Sequence, residues 1–70
     1  MNNWIRVKDR LPPRGTDILI YISSRNVIDI AWLDDGANGV DCFVGTEFGY
    51  DAKNVSHWQP LPEKPEVKDE

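Results

Sequence analysis

Two β-branched segments joined by a short polar loop constrain this chain more than any other feature. Residues 17–22 read Asp-Ile-Leu-Ile-Tyr-Ile, and residues 27–33 read Val-Ile-Asp-Ile-Ala-Trp-Leu. Both segments are rich in the β-branched and aromatic side chains that favour strands, and polar residues separate them. We therefore predict that the two segments pair as a β-hairpin.

The alternation of apolar side chains predicts the register of this hairpin. In an antiparallel pair, residues that oppose each other lie on the same side of the sheet. A three-residue loop, Ser24–Asn26, places the isoleucines of both strands on one face, and Asn26 tolerates the left-handed backbone that such loops use. A two- or four-residue loop would put Asp29 on the core face, so we predict against both. The predicted pairs are Ile22 with Ile28, Ile20 with Ile30, and Ile18 with Trp32.

The remaining chain predicts a small, mainly β fold. Residues 40–44 and 54–58 are predicted strands, residues 2–7 an extended entry, and residues 45–53 irregular. Prolines 60, 62 and 65 should end the last strand, because proline cannot donate to a ladder. We expect an antiparallel sheet of three to four strands in one domain, residues 1–62, with Trp- and Pro-containing terminal arms packed on it. Residues 63–70 form a charged tail that we expect to be flexible. The predicted core is Trp4, Ile18, Ile20, Ile22, Ile28, Ile30, Trp32 and Trp58.

Size and cysteine content limit how such a domain can be stabilised. A chain of 70 residues leaves a large share of its surface exposed, so its stability is marginal. Its single cysteine, Cys42, cannot form an internal disulfide, and a buried inert thiol is the expected state. The remaining sources of stability are dense aromatic packing, proline stiffening of the unfolded chain, or a homo-oligomer that buries more surface. A lone free thiol, with no signal-peptide pattern, predicts an intracellular, reducing location.

The net charge of −4 restricts the classes of partner. Direct nucleic-acid binding is disfavoured, because that function needs a basic face to neutralise phosphates. No apolar run approaches the ~20 residues of a membrane span. An acidic surface can instead meet a basic protein partner. The candidate contact residues are Asp34, Asp35, Asp41, Glu47 and Asp51.

Catalytic and metal sites are not predicted. The acids fail the alternate-position rule of a calcium loop, and turn chemistry explains the Asp, Asn and Gly residues among them. His57 follows Ser56 directly, and in a strand the two side chains should point to opposite faces, leaving His57 without a nucleophile. We expect no cofactor, no metal and no enzymatic activity. The proline run of residues 60–65 is expected to lie across its own domain, with a polyproline ligand for another protein as the alternative.

Two terminal motifs together resemble a known family. The opening reads Trp-Ile-x-Val-x-Asp-Arg-Leu-Pro from residue 4, and the closing motif reads Val-Ser-His-Trp-x-Pro-Leu-Pro over residues 55–62. This combination resembles small phage and prophage proteins of the domain-of-unknown-function family five-five-one, over residues 3–62. The resemblance implies a phage or bacterial origin and a small β-rich fold. It implies no activity and no functional residue.

Charge and resemblance together lead to one functional expectation. The chain is expected to be a non-enzymatic phage or prophage accessory protein that binds a host or phage protein. An inhibitor of a host factor such as a defence nuclease is one form of that function. The alternative is a structural or self-assembling protein that forms a homo-oligomer and has no inhibitory role.

Overall fold

A computed structural model describes residues 3–36, 39–63 and 65 of the chain. Within these residues the chain forms one antiparallel sheet of six strands, with the spatial order β1, β6, β2, β3, β4, β5. A short 3-10 helix, Ala52–Asn54, joins β5 to β6. The strands are β1 (Ile5–Arg6), β2 (Ile18–Ile22), β3 (Val27–Asp35), β4 (Asp41–Gly45), β5 (Gly49–Asp51) and β6 (His57–Pro60).

The mainly β, antiparallel, small fold is confirmed, but the predicted count of three to four strands is wrong. The two additional strands are β1 and β5, of two and three residues. β1 lies in the predicted extended entry, and β5 lies in the segment predicted as irregular. Both are too short to show an alternation of their own. Each forms a strand because it pairs through backbone hydrogen bonds with a longer neighbouring strand: β1 pairs with β6, and β5 pairs with β4.

The predicted hairpin is present, but its register is wrong by one residue. Ile22 pairs with Val27 and Ile20 pairs with Asp29, so the loop is Ser23–Asn26, which is four residues long. The left-handed backbone predicted for Asn26 is confirmed by its φ of 56°. Its side-chain oxygen accepts a hydrogen bond from the Tyr21 hydroxyl over 3.0 Å. A one-residue change of register exchanges the two faces of a strand, so β3 buries the opposite face from the one predicted.

The core therefore differs from the predicted one in its β3 members. The predictions for Ile18, Ile20, Ile22 and Trp58 are confirmed, since all four are buried. Those for Ile28, Ile30 and Trp32 are wrong, because these side chains are exposed on the other side of the sheet. Ala31 and Leu33 take their place, and Leu33 lies opposite Phe43 of β4. The buried cluster is Ile18, Ile20, Ile22, Ala31, Leu33, Phe43, Val55 and Trp58.

Two connections cover this core face. The N-terminal arm between β1 and β2 lies over Trp58, whose indole Nε1 donates to the carbonyl oxygen of Arg10 over 2.8 Å. Pro12 of the same arm is buried. On the other side, the 3-10 helix carries the chain from the β5 edge to β6, and Val55 at its end is buried. About five residues connect β5, at one edge of the sheet, to β6, near the other edge. The sheet curves around the core because so short a connection could not otherwise join them.

The two terminal tryptophans do not meet. Trp58 is buried in the core, whereas Trp4 is half-buried on the opposite side of the sheet, with its ring centroid 6.0 Å from that of Tyr21. The prediction of Trp4 as a core residue is therefore wrong. β1 explains this arrangement: Ile5 opposes Trp58 and takes the core side, so the preceding residue takes the other.

The proline-rich end also differs from the prediction. Pro60 belongs to β6, opposite Ile18. On the other side of β6, β1 spans only Ile5–Arg6, which oppose Trp58 and His57. No β1 residue therefore pairs with Pro60, so the backbone N–H that proline lacks is not needed there. Most of the predicted charged tail, residue 64 and residues 66–70, lies outside the described residues, as do residues 37–38 of the predicted loop.

Candidate protein-binding face

The side of the sheet that faces away from the core carries an unusual number of apolar side chains. On β3 the three outward residues Ile28, Ile30 and Trp32 have exposed fractions of 59%, 42% and 38%. Leu19 and Tyr21 of β2 lie on the same side, since they oppose Ile30 and Ile28. We call this surface the open face; it comprises Trp4, Arg6, Leu19, Tyr21, Ile28, Ile30, Trp32, Val44, His57 and Gln59.

Three aromatic rings form a row at one end of the open face. The ring centroids of Trp4 and Tyr21 are 6.0 Å apart, as are those of Tyr21 and His57, and both pairs are tilted. Tyr21 opposes both Ile28 and His57, so these three side chains lie at a single level of the sheet, with the Trp4 ring beside Tyr21. The rings line a groove of about 440 Å³ together with Arg6 and Ile28. We call it the aromatic groove.

Ser56 and His57 are not on opposite faces as predicted. The hydroxyl oxygen of Ser56 lies 2.8 Å from Nδ1 of His57 and donates to the Tyr21 carbonyl oxygen over 3.1 Å. Ser56 precedes the first residue of β6, so strand alternation does not separate the two side chains. Because the single hydroxyl proton is bound to the carbonyl, Nδ1 of His57 is the donor to Ser56. This contact holds the imidazole beside Tyr21 on the open face.

Basic side chains surround a second hollow, next to the aromatic groove. It has a volume of about 390 Å³, and its lining includes Arg6, Lys8, Lys53, Ser56 and His57. Nε of Arg6 donates to Asp9 over 2.9 Å, in a pair whose side chains are each more than half exposed. Arg6 and His57 line both the groove and this basic hollow, so the two form one continuous surface.

The structure brings four of the five predicted contact acids together. Asp34 and Asp51 both oppose Cys42, on the outward side, and Asp35 opposes Asp41 on the inward side. Glu47 lies away from them, in the turn after β4, at the other end of that strand. The four acids thus form a cluster where β3 ends and β4 begins.

Two of these acids are neutralised within the chain, and a third has a structural role. Arg14 donates to Asp35 over 2.7 Å and to Asp41 over 3.0 Å, so it separates two opposed carboxylates. Asp51 caps the 3-10 helix by accepting from the Lys53 backbone N–H. No group of three or more His, Cys, Asp or Glu side chains arranged for a metal ion occurs among the residues that the structure describes.

Sequence reasoning missed the aromatic groove because its members are far apart in the chain. Trp4 directly precedes β1, Tyr21 lies in β2 and His57 lies in β6, and the pairing of β6 with both β1 and β2 brings them together. The available signal was the terminal motifs, which carry Trp4 and His57 at the two ends of the domain. The buried state predicted for Cys42 is not observed, because Cys42 is half-buried on the outward side of the sheet.

One of three comparisons with known proteins gives a match. The model of the family described as "Protein of unknown function (DUF551)" matches residues 3–66. No curated protein and no solved structure matches the chain. Among the described residues, no helix has the length and apolar character that a membrane crossing requires. Since the family match covers nearly the whole chain, the chain belongs to the DUF551 family of proteins of unknown function.

Proposed function

We propose that the chain is a non-enzymatic phage or prophage accessory protein that works in the bacterial cytoplasm by binding another protein, and that the open face is its binding surface. The observation that carries this proposal is the exposure of Ile28, Ile30 and Trp32 in the middle of the sheet. These three side chains follow one another on the outward side of β3, with Leu19 and Tyr21 beside them on β2.

An apolar sheet face of this kind is costly to leave in water. Burying one exposed isoleucine side chain is worth about 1.5–3 kcal/mol. Monomeric proteins rarely expose contiguous apolar patches of more than a few hundred Å², and larger patches mark interaction sites. Layered packing of a sheet requires a second layer on each apolar face. Among the described residues, the arm between β1 and β2 covers the core face, whereas Ile28, Ile30 and Trp32 stay exposed on the open face. A partner protein would supply the missing layer.

The negative net charge favours one form of this function, which is the inhibition of a host factor such as a defence nuclease. A basic nucleic-acid-binding surface would contact the acidic end of the open face. Asp34 is exposed there, while Arg14 already binds Asp35 and Asp41. Asp34 and Asp51, on the outward side, are thus better placed for a partner than the two acids that Arg14 neutralises.

Site-specific photo-crosslinking tests the proposed binding surface directly. A photoreactive phenylalanine replaces Ile30 at the centre of the open face, and in the matched control it replaces Ser24 in the exposed β2–β3 loop. We expect light-dependent crosslinks to a discrete protein from Ile30 and not from Ser24, in the native host. An absence of crosslinks from Ile30, or equal crosslinking from both positions, would refute the proposal.

Self-assembly is the second candidate, and the same exposed residues favour it. A second copy of the chain that stacks on the open face would bury Ile30 in a symmetric interface. Ile30→Asp would then convert a dimer to a monomer in light scattering at micromolar concentration, whereas Ser24→Asp would not. A wild-type chain that is strictly monomeric rules out this candidate.

A further inference from the structure

We infer that the aromatic groove and the basic hollow together bind an extended, acidic peptide segment of the partner. An apolar or proline residue of that segment packs on the three rings, and its carboxylates bind at the basic end. The inference rests on the proposed function, since it names the kind of chain that the open face takes.

The aromatic half of the surface has the shape that an extended peptide requires. Ile28, Tyr21, His57 and Arg6 form one continuous row of cross-strand neighbours over β3, β2, β6 and β1. With strands about 4.8 Å apart, this row is roughly 14 Å long. Rows of aromatic side chains are the docking surface for extended proline-containing segments, because such segments lose little entropy on binding.

The basic half supplies charges at one end of that row. Arg6 contributes to both halves, and its contact with Asp9 uses Nε, so its terminal Nη atoms can bind an incoming carboxylate. Lys8 and Lys53 are exposed on the rim of the basic hollow. A carboxylate that enters the hollow would therefore meet up to three cations, two of them flexible ammonium groups that adapt to its position.

The charge distribution favours an acidic peptide over a nucleic acid. Three of the eight Lys and Arg residues line one hollow of a chain whose net charge is −4. Aromatic rings beside cations also suit single-stranded nucleic acid. However, a polyanion follows a protein surface over many phosphates and would be repelled by the acids elsewhere on this chain. A peptide with a few carboxylates needs only the local cations.

The dimensions define a suitable probe. The row from Ile28 to Arg6 is roughly 14 Å long, and Lys8 follows Arg6 in a turn at the rim of the hollow. At about 3.1 Å per residue, a polyproline-type segment of about five residues covers the row, and about three further residues reach into the hollow. The probe is a fluorescein-labelled peptide of about eight residues, with two prolines and a leucine in its first half and glutamates in its second. Its matched control carries glutamine in place of each glutamate.

Fluorescence anisotropy with the full-length chain tests the inference. We expect the glutamate peptide to bind with a Kd below about 1 mM, and the glutamine peptide to bind at least about fivefold more weakly. Trp4→Ala should weaken binding about tenfold. Lys53→Glu should weaken it about threefold, whereas Arg25→Glu, the same charge change in the β2–β3 loop, should leave it unchanged. Because Lys53 and Arg25 are both exposed, this second comparison does not depend on the folding of Trp4→Ala.

Four outcomes would overturn the inference. They are a glutamate peptide that does not bind at about 1 mM, equal binding of the two peptides, equal effects of Lys53→Glu and Arg25→Glu, or tighter binding of an oligothymidylate of similar length. If the glutamate peptide does not bind while photo-crosslinking at Ile30 still captures a protein, the inference is wrong and the proposed function stands. If both experiments fail, the open face is not a protein-binding surface.

Discussion

The hydroxyl of Tyr50 donates a hydrogen bond to Asp29 Oδ2 over 2.9 Å, from β5 to β3 across the width of β4. Asp29 opposes Ile20 and thus lies on the core side of the sheet, where an unsatisfied carboxylate would be costly. Two more donors satisfy it: the backbone N–H of Ile30 at 2.7 Å and the hydroxyl of Thr46 at 3.2 Å. The hairpin register that sequence alternation argued against is stable because these donors surround Asp29.

The Tyr50–Asp29 hydrogen bond makes stability depend on alkaline pH. Its acceptor Asp29 raises the pKa of Tyr50 above 10.0, with burial and the negative charge of Asp29 acting in the same direction. A group whose pKa is raised on folding contributes stability below its unfolded pKa, and that contribution is lost as pH rises through the folded pKa. We expect the free energy of unfolding to fall above about pH 10 in the wild type and less steeply in Tyr50→Phe. Urea unfolding at several pH values measures this.

Absorbance titration checks the same shift without unfolding. The chain has two tyrosines, so Tyr21→Phe leaves Tyr50 as the reporter of phenolate formation. Its midpoint should lie above that of the unfolded chain in urea. The hydrogen bond would have no energetic role if the titration midpoint of Tyr50 were the same in the folded and unfolded chain. The same conclusion would follow if the unfolding free energies of wild type and Tyr50→Phe fell equally steeply with pH.

Gly45 should not tolerate a side chain, although its backbone is not left-handed. A Cβ there would lie 2.6 Å from Asp29 Oδ2 and 2.8 Å from the Phe48 carbonyl oxygen. Gly45→Ala should therefore cost about 1–3 kcal/mol of unfolding free energy. Gly49→Ala in β5 is the matched control, because its nearest atom would be 4.0 Å away. Equal stabilities of the two variants in urea would contradict this account.

Trp58 and Trp32 should differ in their contribution to stability. Trp58 has an exposed fraction of 4% and donates to the Arg10 carbonyl oxygen, whereas Trp32 is 38% exposed on the open face. Trp58→Ala should cost about 3–5 kcal/mol, enough to unfold a domain of this size. Trp32→Ala should cost less than about half as much. A well-folded Trp58→Ala protein, judged by circular dichroism, would show that the N-terminal arm does not depend on Trp58.

Arg14 should stabilise the domain in a salt-dependent manner. It lies between Asp35 and Asp41, which oppose each other on β3 and β4. Arg14→Gln leaves two like charges directly opposed and should cost about 0.5–1 kcal/mol at low ionic strength. Added salt should reduce the difference, because these side chains are largely accessible to solvent. Lys8→Gln is the control. A loss of stability in Arg14→Gln that does not change with salt would indicate that the packing of the aliphatic part of the Arg14 side chain is lost.

The sequence alone was informative where alternation favoured one side of a strand. In β2, three isoleucines on one side outweigh Leu19 and Tyr21 on the other, and all three isoleucines are buried. Asn26 was recognised because few residues adopt a positive φ at a turn. In β3, both sides are apolar: Ile28, Ile30 and Trp32 on one, Ala31 and Leu33 on the other. Hydrophobicity favours the first set, yet the second is buried.

The candidate site was less accessible to sequence reasoning than the fold. The acids were visible as residues, but their contacts with Arg14 and the Lys53 backbone depend on chain segments up to 27 residues apart. The aromatic groove joins residues from both ends of the domain. Its existence follows from the position of β6 between β1 and β2, which no local pattern encodes.

The sequence by itself determined the class of fold and the positions of the principal strands. It also determined the buried side of β2 and the packing of terminal segments on the sheet. Local side-chain chemistry dictates these features, because strand preference and alternation act over a few residues. Tertiary structure alone decided which side of β3 is buried. Leu33 must meet Phe43 of β4, and Asp29 must meet the hydroxyl of Tyr50, which sets the register against local hydrophobicity. The same choice leaves Ile28, Ile30 and Trp32 on the open face.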